Sequence, residues 1–161
     1  MRGRGTNGSS RLHFRFSWPA TSRAAGAARR TVDVLPLRTP RDRIDELRLL
    51  VSEVVTNAVL HAGLSSDQGI DMLVRLSPDS TRVEVRDRGK GFEPLMPPQP
   101  DTVGGLGMVV VDRMSRRWGL TGTPHFGVWF EVDGGYRSPA KGSGKDRAIR
   151  AAEPLWERLA G

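Results

Sequence analysis

The sequence predicts an α/β fold, a two-layer sandwich with helices on one face of a mixed, mainly antiparallel sheet. Two observations carry that expectation. Leu47, Leu50, Val51, Val54 and Ala58 recur at helical spacing and form one core-facing stripe. Around that helix lie short runs of strand character: Leu12, Phe14 and Phe16 alternating with His13, Arg15 and Ser17, then Ile70 to Leu76, Val83 to Val85, Trp118 to Thr121 and Val128 to Val132. Helices and strands in this order pack as two layers around one core.

Taken in order, residues 1 to 10 are rich in Gly, Arg and Ser and read as a disordered basic tail. The first strand follows and ends at Trp18-Pro19. Thr21 or Ser22 is placed to cap a helix from Ala24 to Val34. Pro36 and Pro40 break the chain before the striped helix, which starts near Arg41 to Asp45 and ends near Ala62-Gly63. Pro78-Asp79-Ser80 separates the next two runs and predicts a hairpin whose second strand delivers Asp87 to its end. Residues 92 to 104 contain Pro94, Pro97, Pro98 and Pro100, which deny them a regular helix or central strand, so a lid is expected there. A helix from Gly107 through Met114 and two closing strands complete a domain spanning 11 to 134. From Gly135 the chain reads as a flexible tail with a short helix near Leu155 to Leu159.

Composition sets the bounds. A chain of 161 residues suits one domain. It has no cysteine, which excludes disulfides and thiolate metal sites and fits a reducing cytoplasm. No segment approaches the length of about 20 apolar residues that spans a bilayer, and the N-terminus lacks an apolar signal region, so a cytoplasmic protein without membrane contact is expected. The net charge of +7 arises in the first thirty residues, which hold seven arginines and no acid, while the remainder holds 18 basic and 18 acidic residues. Without a base-reading helix or an aromatic-lined basic groove, specific nucleic-acid binding is not expected.

Three blocks read as one nucleotide site. Glu53, Asn57 and His61 lie four apart, so a helix sets them in one polar row along the flank of the apolar stripe, facing a cleft beside the core. Asn57 offers a neutral oxygen suited to Mg²⁺, which takes few protein ligands beside phosphates and water. Glu53 could orient or deprotonate an attacking hydroxyl, or be an ordinary exposed helix residue. His61 either meets the nucleotide or the terminal carbonyls of its own helix. Asp87 closes a strand before Gly89 and Gly91, where a buried carboxylate needs a donor; an acidic turn residue is the plain alternative. Gly104, Gly105, Leu106 and Gly107 open a helix whose free backbone N–H groups suit phosphates, a flexible loop being the alternative. Gly142-Ser143-Gly144-Lys145 lacks P-loop spacing and is read as tail.

The blocks ELRLLVSEVVTNAVLHA, VEVRDRGKGF and GGLGMVVVDRMSRRWG resemble the N, G1 and G2 boxes of the GHKL ATPase and kinase superfamily, with a likeness covering roughly residues 11 to 133. Within it, the short chain and the Glu53-x-x-x-Asn57 spacing are most similar to bacterial anti-sigma-factor serine/threonine kinases. The resemblance implies a Bergerat-type fold and ATP with Mg²⁺ as cofactors. It implies contact between Asp87 and the adenine amine, Glu53 as catalytic base, and a sigma factor and an anti-sigma-factor antagonist as protein partners. Homodimers are common in the family, and the strand around Phe14 is the candidate edge. A switch module that binds ATP and partners without phosphotransfer is the alternative. A histidine-kinase lobe fits less well, because no phosphoacceptor helical hairpin precedes the N box. The chain departs from the family pattern at Gly127, where a Thr or Ser usually enters the last strand; Thr121 and Thr123 are the nearby hydroxyls. Lys90 is the only Lys or Arg from Gly89 through Gly107.

Overall fold

A computed structural model describes residues 11–61, 68–87, 105–122 and 127–136. The elements run β1 (Leu12–Pro19), α1 (Ala24–Thr31), a 3-10 turn (Val32–Val34), α2 (Arg41–His61), β2 (Gly69–Leu76), β3 (Ser80–Asp87), α3 (Gly105–Met114), β4 (Arg117–Thr121) and β5 (Gly127–Asp133). The segments where the sequence predicts a lid (residues 92 to 104), an N-terminal tail and a helix near Leu155 lie outside the described residues.

β1 alternates half-buried Leu12, Phe14, Phe16 and Trp18 with exposed residues, the period-2 pattern of a strand covered on one face. The expected side-chain cap of α1 is corrected: Arg23 occupies the cap position without a side-chain hydrogen bond, and the Ala24 N–H donates instead to the Thr21 carbonyl at 2.9 Å. A tight turn in which the Thr21 N–H donates to the Pro19 carbonyl at 2.8 Å aims that backbone oxygen at the helix start, so no hydroxyl is required. The regular helix also stops at Thr31, whose Oγ1 donates to the Ala28 carbonyl at 2.6 Å, and the chain tightens to 3-10 before Pro36.

α2 starts where Pro40 ends the preceding linker, with the Arg43 and Ile44 N–H groups donating to the Pro40 carbonyl at 3.1 and 3.2 Å. Its stripe of Leu47, Leu50, Val51, Val54 and Ala58 is buried, together with Val55. On the outer side, Arg48 binds Asp33 and Asp45, and these hydrogen bonds, Asp33 first, raise its guanidinium above the ordinary value.

The strands form one five-stranded sheet in the order β1-β2-β3-β5-β4, and all four described pairings are antiparallel. The chain therefore leaves the sheet after β3, passes through α3 and returns at the edge as β4 before β5 fills the gap. One face carries Met72, Val74, Val83, Val85, Val128 and Phe130 against Leu50, Val51, Val54, Met108 and Val111 of the helices. Burying that apolar face is the main drive for the sandwich.

At one end of the sheet the β2–β3 turn is closed by Ser77, whose N–H donates to the Ser80 carbonyl at 2.9 Å and whose Oγ accepts from the Ser80 N–H at 3.0 Å. The chain leaving β5 docks there. The Gly134 N–H donates to the Asp79 carbonyl at 2.9 Å, and the Tyr136 N–H donates to the Ser77 carbonyl at 3.2 Å. Gly134 has φ 92°, a conformation that favours glycine, and a β-carbon at Gly135 would run into the Ser77 carbonyl. Tyr136 is buried in the core beyond this turn.

Candidate nucleotide-binding site

The site is built at the opposite end of the sandwich. The chain leaves α2 at His61 and enters β2 at Gly69, and the next residue, Ile70, pairs with Asp87 at the end of β3. The C-terminal half of α2 and the end of β3 thus lie at one end of the fold, with Asp87 in the same alternation as Val83 and Val85 on the helix-covered face.

Asn57 is only 3% exposed, although an amide gains nothing from an apolar environment. Its Nδ2 is buried and has no hydrogen-bond partner among the described residues. Glu53, one turn earlier, is half-buried. α3 crosses this polar row at Gly107: a β-carbon there would lie 2.7 Å from Glu53 Oε2, 3.1 Å from Asn57 Nδ2 and 3.5 Å from Asn57 Oδ1. A side chain at position 107 would press on both groups. Glycine therefore lets the start of α3, whose first-turn N–H groups have no partners within the helix, approach the carboxylate and the amide together.

Asp87 is 3% exposed, so a carboxylate sits inside the structure at the end of a central strand. Just before it, the buried Glu84 accepts a hydrogen bond from Arg86 Nε at 2.6 Å on the other face of the sheet.

Of the residues expected from sequence, Glu53, Asn57 and Gly107 meet directly, and Asp87 shares their end of the sandwich. Gly105, Leu106 and Gly107 form the first turn of α3, and the Leu106 side chain is 65% exposed. His61 is the last residue of α2, with its side chain outside the described structure; Gly89, Gly91 and Gly104 also lie outside it.

A side chain at Gly127 has no room. A β-carbon at that position would meet the Val85 carbonyl and come within 2.8 Å of Thr121 Oγ1 and 3.2 Å of the Arg86 Cα. Thr121 Oγ1 is itself buried without a hydrogen-bond partner among the described residues. Thr121 pairs with Gly127 and Gly127 with Arg86, so register sets Thr121 on the face opposite Asp87. Thr123 lies outside the described residues. Sequence reasoning missed the steric role of Gly107 and the stranded Thr121 hydroxyl. Both depend on which segments pass close together, and only the β4–β5 register or the α2–α3 crossing reveals that.

Comparison with known proteins places this architecture. The profile of the histidine kinase-like ATPase domain matches residues 18–124, well over half of the chain. The chain belongs to the histidine kinase-like ATPase domain family. The match begins at the end of β1 and stops before β5, the strand that carries Gly127. Among curated relatives, the anti-sigma F factor of Anoxybacillus flavithermus is 30% identical over 112 residues, which is 63% of this chain and 75% of that protein. The anti-sigma F factor of Bacillus licheniformis is 28% identical over 124 residues, 70% of this chain and 85% of the relative. That of Bacillus subtilis is 27% identical over 128 residues, 73% and 86% respectively. Family membership implies ATP as ligand, and the residues present fit it: a buried amide N–H lacking a partner among the described residues, beside a gap that a β-carbon would close.

Proposed function

We propose that the protein is an ATP-dependent regulator of the anti-sigma-factor type, a serine/threonine kinase that binds a sigma factor and phosphorylates its antagonist. The reading is carried by one observation, the convergence of Glu53, Asn57 and Gly107 where α3 crosses α2. The relatives named anti-sigma F factor support the choice of partners.

In this reading Asp87 accepts a hydrogen bond from the adenine amine, and the first-turn N–H groups of Gly105, Leu106 and Gly107 face the phosphates, with Gly104, Gly89 and Gly91 as further backbone contacts. Asn57 holds Mg²⁺ through its side-chain oxygen. Mg²⁺ takes few protein ligands, and in this reading phosphates and water supply the others. ATP supplies the transferable γ-phosphoryl group. Glu53 would take the proton of a serine or threonine hydroxyl on the antagonist as that oxygen bonds to the γ-phosphorus and the bond to the departing ADP breaks, the role of a general base. His61, at the end of the polar row, is assigned to the rim of the same site.

A second reading is favoured by one feature, the lack of any Lys or Arg from Gly91 through Gly107 to clamp a γ-phosphate. In it, the domain binds ATP and switches partners without transfer. Incubation with γ-labelled ATP, Mg²⁺ and candidate antagonist proteins separates the two. Label on a serine or threonine supports the kinase. Release of a bound partner on adding ATP, without label, supports the switch. No helix among the described residues is long and apolar enough to cross a membrane.

A further inference from the structure

The face of the sheet turned away from the helices carries a second polar arrangement, and register fixes its rows. Across β1, β2, β3, β5 and β4, one row reads His13, Arg75, Arg82, Glu131 and Arg117. The row beside it reads Arg15, Leu73, Glu84, Trp129 and Gly119. Side chains directly opposite one another in such rows are close enough to interact, and like charges there repel.

The carboxylates on this face are engaged. Glu131 accepts from Arg117 at 2.8 Å, Glu84 from Arg86 at 2.6 Å and Asp71 from Arg15 at 2.9 Å. Arg75 and Arg82 are left side by side. Among the described residues neither side chain has a carboxylate at ion-pair distance or donates a hydrogen bond, and Nε of Arg82 is buried without a partner. The Arg82 guanidinium lies 3.7 Å from the centroid of the Trp129 ring. That ring in turn rests on Gly119, where a β-carbon would come within 2.9 Å of it. Burial, and then the charge of Arg75, pull the Arg82 guanidinium below its ordinary value, although Glu84 and Glu131 oppose them. Two adjacent guanidinium groups, one held against an aromatic ring, form half of an anion site.

We propose that this face docks an acidic segment of a protein partner, with a carboxylate bridging Arg75 and Arg82 and an apolar side chain beside it against Leu73 and Trp129. Charge complementarity supplies the argument for the occupant. The planar donor fork of arginine matches a carboxylate. Glu84 and Glu131 border the cationic pair, so a nucleic-acid strand would bring its continuous negative charge against them, whereas one carboxylate set into the row would not. This surface lies on the other face from Asp87 and is separate from the nucleotide site.

The test uses the full chain and a fluorescein-labelled peptide rich in glutamate with interspersed leucines, titrated by fluorescence anisotropy. The wild type is expected to bind saturably, and Arg75→Glu to weaken binding at least about 5-fold. Arg29→Glu, at an exposed position of α1, is expected to leave it unchanged. Arg75 is exposed and its replacement offers Arg82 a carboxylate, so the melting temperature should hold or rise. ATP affinity should not change. A peptide with lysine in place of glutamate should prefer the Arg75→Glu variant to the wild type. Absence of saturable binding would overturn the proposal, as would equal losses in Arg29→Glu and Arg75→Glu. An oligonucleotide of equal charge that binds more tightly than the peptide, with the same dependence on Arg75, would overturn the choice of a protein partner.

Discussion

The two ends of the sandwich solve the same problem, bringing backbone close to backbone, with opposite results for their polar groups. At the β2–β3 turn, glycines at 134 and 135 admit the strand leaving β5, and the polar atoms brought together there pair with one another. Thr81 Oγ1 donates to the Gly134 carbonyl at 2.8 Å, the Arg38 N–H donates to the Gly135 carbonyl at 2.9 Å and the Ser77 carbonyl accepts from Tyr136. At the α2–α3 crossing, glycine at 107 admits a helix start, yet Asn57 Nδ2 is left buried and unpaired among the described residues. Burying an unsatisfied amide costs about 1 to 3 kcal/mol, a penalty that a purely structural contact has no reason to retain. One end is a clasp closed on itself; the other keeps a buried amide N–H without a partner among the described residues, which the proposed function assigns to the nucleotide site.

Substitutions at each end sharpen this contrast. The largest effect is expected from Glu53→Gln, which keeps the shape of the side chain but removes its basicity. Transfer to an antagonist serine or threonine should fall by a factor of about 10² to 10⁴ while Mg-ATP binding persists. Single-turnover assays with labelled ATP would read it, and an unimpaired variant would return Glu53 to the status of an ordinary helix residue.

Asp87→Ala should weaken ATP binding by about 1.5 to 3 kcal/mol, the range for a hydrogen bond to a charged group. Titration calorimetry reads that loss directly, and equal affinities in variant and wild type would separate Asp87 from the base. At the closed end, Gly135→Ala sets a β-carbon against a backbone carbonyl that cannot swing away. A stability loss of about 1 to 3 kcal/mol in urea melts is expected, with nucleotide affinity unchanged in the folded fraction.

Gly107→Ala gives the smallest change in stability and the most diagnostic one. The nearest obstacle is the far end of a half-buried glutamate, which can rotate, while alanine in a helix gains about 1 kcal/mol over glycine. The variant should melt no lower than wild type and still lose activity, because the carboxylate is displaced. Loss of stability and activity together would make the crossing a packing contact only.

Much of this was legible in the sequence. The stripe from Leu47 to Ala58 and the alternation of Leu12 to Ser17 mark elements because burial on one face imposes a period, and both appear in the fold as read. The Glu53-Asn57 row was legible for the same reason. Helix ends were less so: α1 is capped by a backbone carbonyl that a turn positions, and no residue type announces that. The role of Gly107, the stranded Thr121 hydroxyl and the Arg75–Arg82 pair were invisible, because each depends on segments distant in sequence meeting in a particular register.

Calorimetry on Asn57→Ala asks whether the Asn57 end of the molecule holds a metal nucleotide, as proposed. With circular dichroism showing an intact fold, the variant should lose affinity for ATP in the presence of Mg²⁺ far more than for ATP in a chelator, since only the former uses the amide oxygen. Equal affinity for Mg-ATP in variant and wild type would contradict the account.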